Sequence, residues 1–320
     1  MTKPLRWGIL GAANFAYEHM APAIHAARGA ELVGLGTSSA DKFARFAGKF
    51  AGLRHHDSYE ALLADDDIDA VYIPLPNTLH IEWGLKTLEA GKHVLIEKPV
   101  AMKAAQIDPL IAARDSSGLL AAEAYMIVHH PQWQRAKALL DDGAIGAVQQ
   151  VSCAFSFDNR DPDNIRNQRE MGGGALPDIG VYALGCARYA LGAEFEEITA
   201  QIDWDNGVDT LSRIQARIGG AAYQGYVSTR MHAFQEVTFH GEDGVMRLSA
   251  PYNPNVYGMA EIELRQGTET RVERFAAANH YVNQVEAFCA AVRGEAAYPW
   301  TLEDAKGTQA TIDAIYAAAD

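Results

Sequence analysis

From Leu5 to about Ala122, short apolar runs bounded by glycine and proline alternate with stretches in which apolar residues recur at helical spacing. That is the pattern of a parallel sheet with crossover helices. The predicted strands are Arg6 to Leu10, Glu31 to Gly36, Ala70 to Pro74, His93 to Ile96 and Leu119 to Ala122. Thr78 to Ala90 places Ile81, Leu85 and Leu88 on one face, and Lys103 to Ser116 does the same with Ile107, Leu110 and Ile111. Each predicts a helix able to cover a sheet face. After Glu123 the texture changes. A helix (Pro131 to Asp141), a strand (Val148 to Phe157) and a glycine-rich segment with a helix after it lead into a series of strand-like runs. These are Ile198 to Trp204, Thr210 to Ile218, Tyr223 to Arg230, Glu236 to His240, Val245 to Leu248 and Glu261 to Arg265. Strands in succession without helices between them predict antiparallel pairing. Helices Tyr281 to Arg293, with Val285, Phe288 and Cys289 on its apolar stripe, and Leu302 to Ala319 close the chain. The fold class is therefore α/β: a doubly wound parallel sheet over residues 1–122, then an α+β domain on a mainly antiparallel open sheet over 123–320.

Composition narrows the functions by exclusion. The 320 residues suit two domains. Their 41 acids against 27 Lys and Arg leave a net charge of -14, which repels a phosphate backbone, so no nucleic-acid partner is expected. Cys153, Cys186 and Cys289 form no C-x-x-C pair, which excludes a disulfide framework and a thiolate zinc site and suits a reducing, cytoplasmic compartment. No uncharged apolar run of about 18 residues is present, so no membrane span is expected, and no leader is seen before the first strand. His55-His56-Asp57 and His129-His130 are adjacent residues that point to opposite faces of a strand, so no metal site is expected.

Strand Arg6 to Leu10 runs into Gly11-Ala12-Ala13-Asn14-Phe15-Ala16. This is a variant of the strand, glycine turn and helix that holds a dinucleotide pyrophosphate on a helix N-terminus, as in the Rossmann fold. Gly11 keeps its glycine, while Ala13 and Ala16 are small enough for close approach. At the end of the second strand, where an acid would bind the adenosine 2'-hydroxyl, the chain reads Gly36-Thr37-Ser38-Ser39. With no carboxylate to repel a 2'-phosphate, and with hydroxyls and Lys42 to bind it, NADP is favoured, and NAD is retained as possible.

Two further stretches carry chemistry. Glu97-Lys98-Pro99 ends the strand His93 to Ile96 and sets Lys98 at the carboxyl edge of the sheet, where ligands of such folds bind. Gly172-Gly173-Gly174-Ala175-Leu176-Pro177-Asp178-Ile179-Gly180-Val181-Tyr182 reads as a flexible approach to a helix with Asp178 and Tyr182 four residues apart, on one face. Oxidising an alcohol needs a base for the hydroxyl proton as hydride leaves carbon. Ionising a tyrosine at neutral pH costs about 4 kcal/mol, and one ammonium about 4 Å away at an effective dielectric near 20 supplies roughly that. Lys98 suffices for Tyr182 if it lies close. Asp178 is expected to hold the lysine or a substrate hydroxyl, and Arg166 is a possible substrate contact or a surface charge.

These residues, with Pro76-Asn77-Thr78-Leu79-His80, Gly143-Ala144-Ile145-Gly146 and Asn164-Ile165-Arg166, resemble the Gfo/Idh/MocA family of NAD(P)-dependent oxidoreductases over nearly the whole chain. Tyr182, where most of that family carries histidine, is similar to the branch of dimeric dihydrodiol dehydrogenases, NADP-dependent xylose 1-dehydrogenases and glucose-fructose oxidoreductase. Val128 and Pro177 depart from that branch, which usually has arginine at the first position and leucine or methionine at the second. The resemblance implies a Rossmann domain and a C-terminal domain whose sheet makes a homodimer or homotetramer. It implies Gly11, Ala12, Ala13, Asn14, Phe15, Thr37, Ser38, Ser39, Lys42, Pro74, Leu75, Asn77, His80, Glu97 and Lys98 at the cofactor, and Lys98, Asp178 and Tyr182 in catalysis. Arg166, Asp178 and Tyr182 would meet a sugar or cyclic polyol. The expected reaction is NADP-dependent oxidation of an aldose at its anomeric carbon to the lactone. The alternatives are trans-dihydrodiol oxidation, cofactor-recycling glycoside cleavage and a non-catalytic nucleotide-binding sensor of the same fold.

Overall fold

A computed structural model describes residues 3–254 and 256–319. Its contacts group the chain into two compact units. The first comprises the chain up to Ala101 with Ala105–His129 and Asn279–Ala305, and the second comprises Met102–Ala104, His130–Ala278 and the chain from Lys306. A single cut at Ala122 thus misses a return of the chain to the first unit. The helix His280–Val292, assigned from sequence to the second domain, packs on the first strand. The Phe288 ring centroid lies 4.9 Å from that of Trp7, and Glu286 pairs with Arg28 at 2.9 Å.

The first unit carries a six-stranded, all-parallel sheet of β1 (Leu5–Leu10), β2 (Ala30–Gly36), β3 (Arg54–His56), β4 (Ala70–Ile73), β5 (His93–Ile96) and β6 (Ala121–Glu123), in the order β3-β2-β1-β4-β5-β6. Helices α1 (Ala21–Ala26), α2 (Ala40–Ala47), α3 (Tyr59–Leu63), α4 (His80–Glu89) and α5 (Asp108–Ser117) make the crossovers. Every residue of β4 is buried, as two covered faces require. Val71, Ile73, Val94 and Ile96 pack with Trp83 and Leu88 of α4 and Leu110 of α5. Each such side chain contributes roughly 1.5–3 kcal/mol. Strand order reverses between β1 and β4, the crevice where ligands bind in such sheets.

In the second unit, α6 (Pro131–Asp141) and α7 (Val181–Leu191) accompany an eight-stranded sheet. Its strands are β7 (Val148–Asp158), β8 (Phe195–Asp205), β9 (Val208–Ile218), β10 (Ala221–Ser228), β11 (Arg230–Gly241), β12 (Val245–Ser249), β13 (Glu261–Gln266) and β14 (Glu269–Arg274). The order is β14-β13-β12-β11-β7-β10-β9-β8, antiparallel except where β7 meets β10. Alternation along β9 from Ser212 to Ile218 shows one covered face and one open face. Among the described residues no helix is long and apolar enough to cross a membrane.

Candidate active site

At the end of β1 the backbone turns on Gly11, whose φ of +93° suits glycine and whose N–H donates to Gly36 O at 2.9 Å. A Cβ there would press to 2.8 Å from Leu75 Cδ2. The helix begins at Asn14 and passes through a π-type stretch, Ala16–Met20, into α1. Its first N–H groups lack partners within the helix and face the crevice end of the sheet, a fit for the phosphates of a dinucleotide. Ala12, Ala13 and Asn14 line a cavity of about 180 Å³ together with Lys42, Arg45 and Phe46. Arg45 was not anticipated from the sequence, although it lies three residues beyond Lys42 on the same face of α2. Phe15 stacks near His19 and Tyr281, with ring centroids 4.9 and 5.7 Å away.

The hydroxyls at the end of β2 are largely engaged. Thr37 is buried and its Oγ1 accepts the Ser39 N–H at 3.2 Å, while Ser39 Oγ caps α2 by accepting the Lys42 N–H at 3.3 Å. Ser38 is exposed. On the β4 side Pro74 and Leu75 are buried, and Asn77 opens a short 3-10 turn. His80, expected at the cofactor, is fully buried, with Leu75 O 2.8 Å from Nε2 and Pro99 O 2.8 Å from Nδ1. Each ring nitrogen faces a carbonyl and the neutral ring donates to one of them, which links the β4 turn to the segment after β5. Burial lowers its pKa to about 4, against the two carbonyls, and nearby Lys98 adds to the lowering.

Half-buried Lys98 follows β5 and is joined to Pro99 by a cis peptide. Beside it, Glu97 Oε1 accepts the Tyr72 hydroxyl at 2.5 Å. Burial raises the Glu97 carboxyl to about pH 7, against the opposing pull of Tyr72 and Lys98. Glu123, which the sequence did not single out, accepts the Val100 N–H at 3.0 Å and the Trp300 Nε1–H at 2.9 Å, fixing the backbone just beyond the lysine.

In the second unit the glycine segment is stitched to the loop before it. Gly174 N–H donates to Arg166 O and Gly173 N–H to Gln168 O, each at 3.0 Å. A Cβ on Gly173 would stand 2.5 Å from Arg166 O, and one on Gly174 would overlap Asp209 Oδ1. Asp209 is buried; it accepts the Leu176 N–H and the Tyr316 hydroxyl, each at 2.7 Å. No local sequence signal marks it. The helix opens as a π-type turn, Leu176–Gly180, before α7, so Asp178 and Tyr182 straddle a change of pitch rather than a regular α-helical turn. Asp178 Oδ2 accepts from Arg166 Nε at 2.6 Å. Tyr182 is buried beside the stacked pair of Phe155 and Tyr252, with ring centroids 5.9 and 5.8 Å away.

The parallel sheet, its glycine turn and the small-residue helix start define a dinucleotide-binding unit. Residues 5–125 match the family described as oxidoreductase family, NAD-binding Rossmann fold, and residues 133–247 match the GFO/IDH/MocA C-terminal domain. The chain belongs to the Gfo/Idh/MocA family and is an NAD(P)-dependent oxidoreductase. It is 34% identical to D-xylose 1-dehydrogenase (NADP(+)) 2 of Haloferax volcanii, over 99% of this chain and 98% of that one. It is 32% identical to dTDP-3,4-didehydro-2,6-dideoxy-alpha-D-glucose 3-reductase of Actinomadura kijaniata, over 98% and 95%. The solved 3-ketoreductase KijD10 of Actinomadura kijaniata, in complex with NADP and TDP-benzene, superimposes with a TM-score of 0.90 at 30% identity, over 99% and 98% of the two chains. Solved variants of that enzyme replace a lysine by alanine and a tyrosine by phenylalanine.

Proposed function

We propose that this protein uses NADP(H) to oxidise an aldose at its anomeric carbon to the lactone, or reversibly a related cyclic hydroxyl. The observation that carries the reading is the pair Lys98 and Tyr182. They stand as far apart in this sequence as the lysine and tyrosine exchanged in the solved variants of the NADP-bound 3-ketoreductase. Similarity to the xylose 1-dehydrogenase along the full chain supports the free aldose. Gly11 to Phe15 would hold the pyrophosphate, and Ser38 and Lys42 the adenosine end.

When bound, the nicotinamide accepts or returns the hydride. The chain's own residues manage the proton. Tyr182 takes it from the substrate hydroxyl, Lys98 offsets the cost of the phenolate, and Asp178, braced by Arg166, orients a neighbouring hydroxyl. Reduction of a keto group on a nucleotide-linked sugar is a second reading, favoured by the likeness to the 3-ketoreductases, and would run the same residues in reverse. The three free cysteines support a reducing, cytoplasmic setting. The open sheet, with a cleft of about 880 Å³ bordered by Arg213, Tyr226, Phe234 and Glu236, supports a homodimer or homotetramer through that face.

The deciding experiment follows absorbance at 340 nm, with NADP for a panel of aldoses and aromatic diols and with NADPH for a dTDP-keto sugar, using wild type and Tyr182→Phe. The expected result is aldose-dependent reduction of NADP, with turnover lowered about 10²- to 10⁴-fold in the variant and the NADP Kd changed less than threefold. Turnover within a few fold of wild type refutes the proton role. Activity confined to the keto sugar selects the second reading.

A further inference from the structure

The end of β2 and the start of α2 leave a narrower set of groups for the adenosine 2'-phosphate than the sequence suggests. The hydroxyls of Thr37 and Ser39 accept backbone N–H groups, which fixes their oxygens and leaves each a single O–H to offer, without charge, to an incoming phosphate. Arg45 enters from one turn further along α2. Its Nη1 donates to Asn14 Oδ1 at 2.7 Å, and its guanidinium carbon sits 3.9 Å from the centre of the Tyr17 ring. Both contacts hold the planar group against the first turns of the helix that follows Gly11. Arg45 and Lys42 line the cavity shared with Ala12, Ala13 and Asn14, and no acidic residue lines it.

We propose that Arg45 is the residue that selects NADP over NAD, by meeting the 2'-phosphate with the N–H groups that Asn14 does not use. The inference rests on the NADP reading above. A guanidinium suits this task because it stays charged and presents its donors in a rigid fork, which a phosphate accepts in pairs. The aromatic face of Tyr17 and the amide of Asn14 fix the plane of that fork before any ligand arrives, so less side-chain freedom is lost on binding. Lys42, on the same face of α2, adds a point charge.

The test is calorimetric titration of the full chain with NADP, NAD, 2',5'-ADP and 5'-AMP, for wild type, Arg45→Ala and Arg45→Lys, with a thermal melt on each to confirm folding. Arg45→Ala is expected to weaken NADP and 2',5'-ADP by about 10- to 100-fold while leaving NAD and 5'-AMP within twofold, and Arg45→Lys to recover part of the loss. Equal losses for NADP and NAD would mean that Arg45 merely braces the loop through Asn14, and would overturn the assignment. So would unchanged NADP affinity. A wild type that binds NAD as tightly as NADP, and 5'-AMP as tightly as 2',5'-ADP, overturns the NADP reading itself and this assignment with it.

Discussion

Two glycine turns in this protein feed helices whose opening residues coil as π-type turns, and they use the same freedom to opposite ends. At Gly11 the left-handed backbone runs against the side-chain ends of Leu75 and Tyr59, and the residues just after it, Ala12 to Asn14, line a cavity with the cations of α2. At Gly173 and Gly174 the space a side chain would need is already filled by the carbonyl of Arg166 and the carboxylate of Asp209. The first turn leads into a cavity past movable side-chain ends, and the second is closed by a backbone carbonyl and a hydrogen-bonded carboxylate. Glycine thus reports that something comes close to the backbone. The surrounding fold decides whether that something is a ligand or another stretch of chain.

The sharpest way to break this comparison is to add one methyl group to each turn. Gly174→Ala combines a φ of +131° with overlap on a buried carboxylate held by Leu176 and Tyr316, and should cost at least about 3 kcal/mol. That lowers the melting temperature by about 6 °C or more. Gly11→Ala should cost about 1–2 kcal/mol, since a single leucine side chain must give way, yet it should weaken NADP binding the more of the two. Calorimetric melts and nucleotide titrations of both variants check this, and the reverse ranking in either measurement would invalidate the contrast.

A second contrast lies in two carboxyls, Glu97 after β5 and Asp209 beside Gly174, both raised in pKa by burial. For Glu97 the folded value of about 7 lies above the ordinary 4.5, so folding favours its protonated form. Its contribution to stability is complete below about pH 4.5 and is lost as pH rises through about 7. The loss should be about 2 kcal/mol, allowing for the solvent that still reaches this half-buried residue. Melting curves of wild type and Glu97→Gln between pH 4.5 and 8.5 should diverge over that range; parallel curves would show that Glu97 is already ionised when folded. The smallest expected effect belongs to Ser39→Ala, which removes the cap of α2 at a cost of about 1 kcal/mol. The NADP-to-NAD affinity ratio should not move. A tenfold fall in that ratio on titration would restore Ser39 as a phosphate ligand.

The interior strands of the parallel sheet were legible because burial on both faces leaves continuous apolar runs, as in Ala70–Ile73. Of the four edge strands, β6 and β8 were read and two were not. β3, reading Arg-His-His, and β14, reading Glu-Thr-Arg-Val-Glu-Arg, lie at the rims of their sheets, where one neighbour is missing and burial writes little pattern. The stripe of Val285, Phe288 and Cys289 announced a packed helix, but periodicity names a face and not its partner, so the return to the first unit was missed. Serine and threonine after β2 were visible as chemistry, whereas their capping bonds depend on a turn that only coordinates define. Asp209 stayed hidden because its partners lie 33 residues before it and 107 after it.

The docking of Phe288 and Glu286 on Trp7 and Arg28 has a consequence for synthesis on the ribosome. The strand that begins the nucleotide-binding unit is made about 270 residues before the helix that shields its tryptophan. Until then that apolar surface has no native cover, so the nascent chain depends on delayed closure or on chaperones to avoid sticking to its neighbours. A split of the gene after the sixth parallel strand would make that transient exposure permanent.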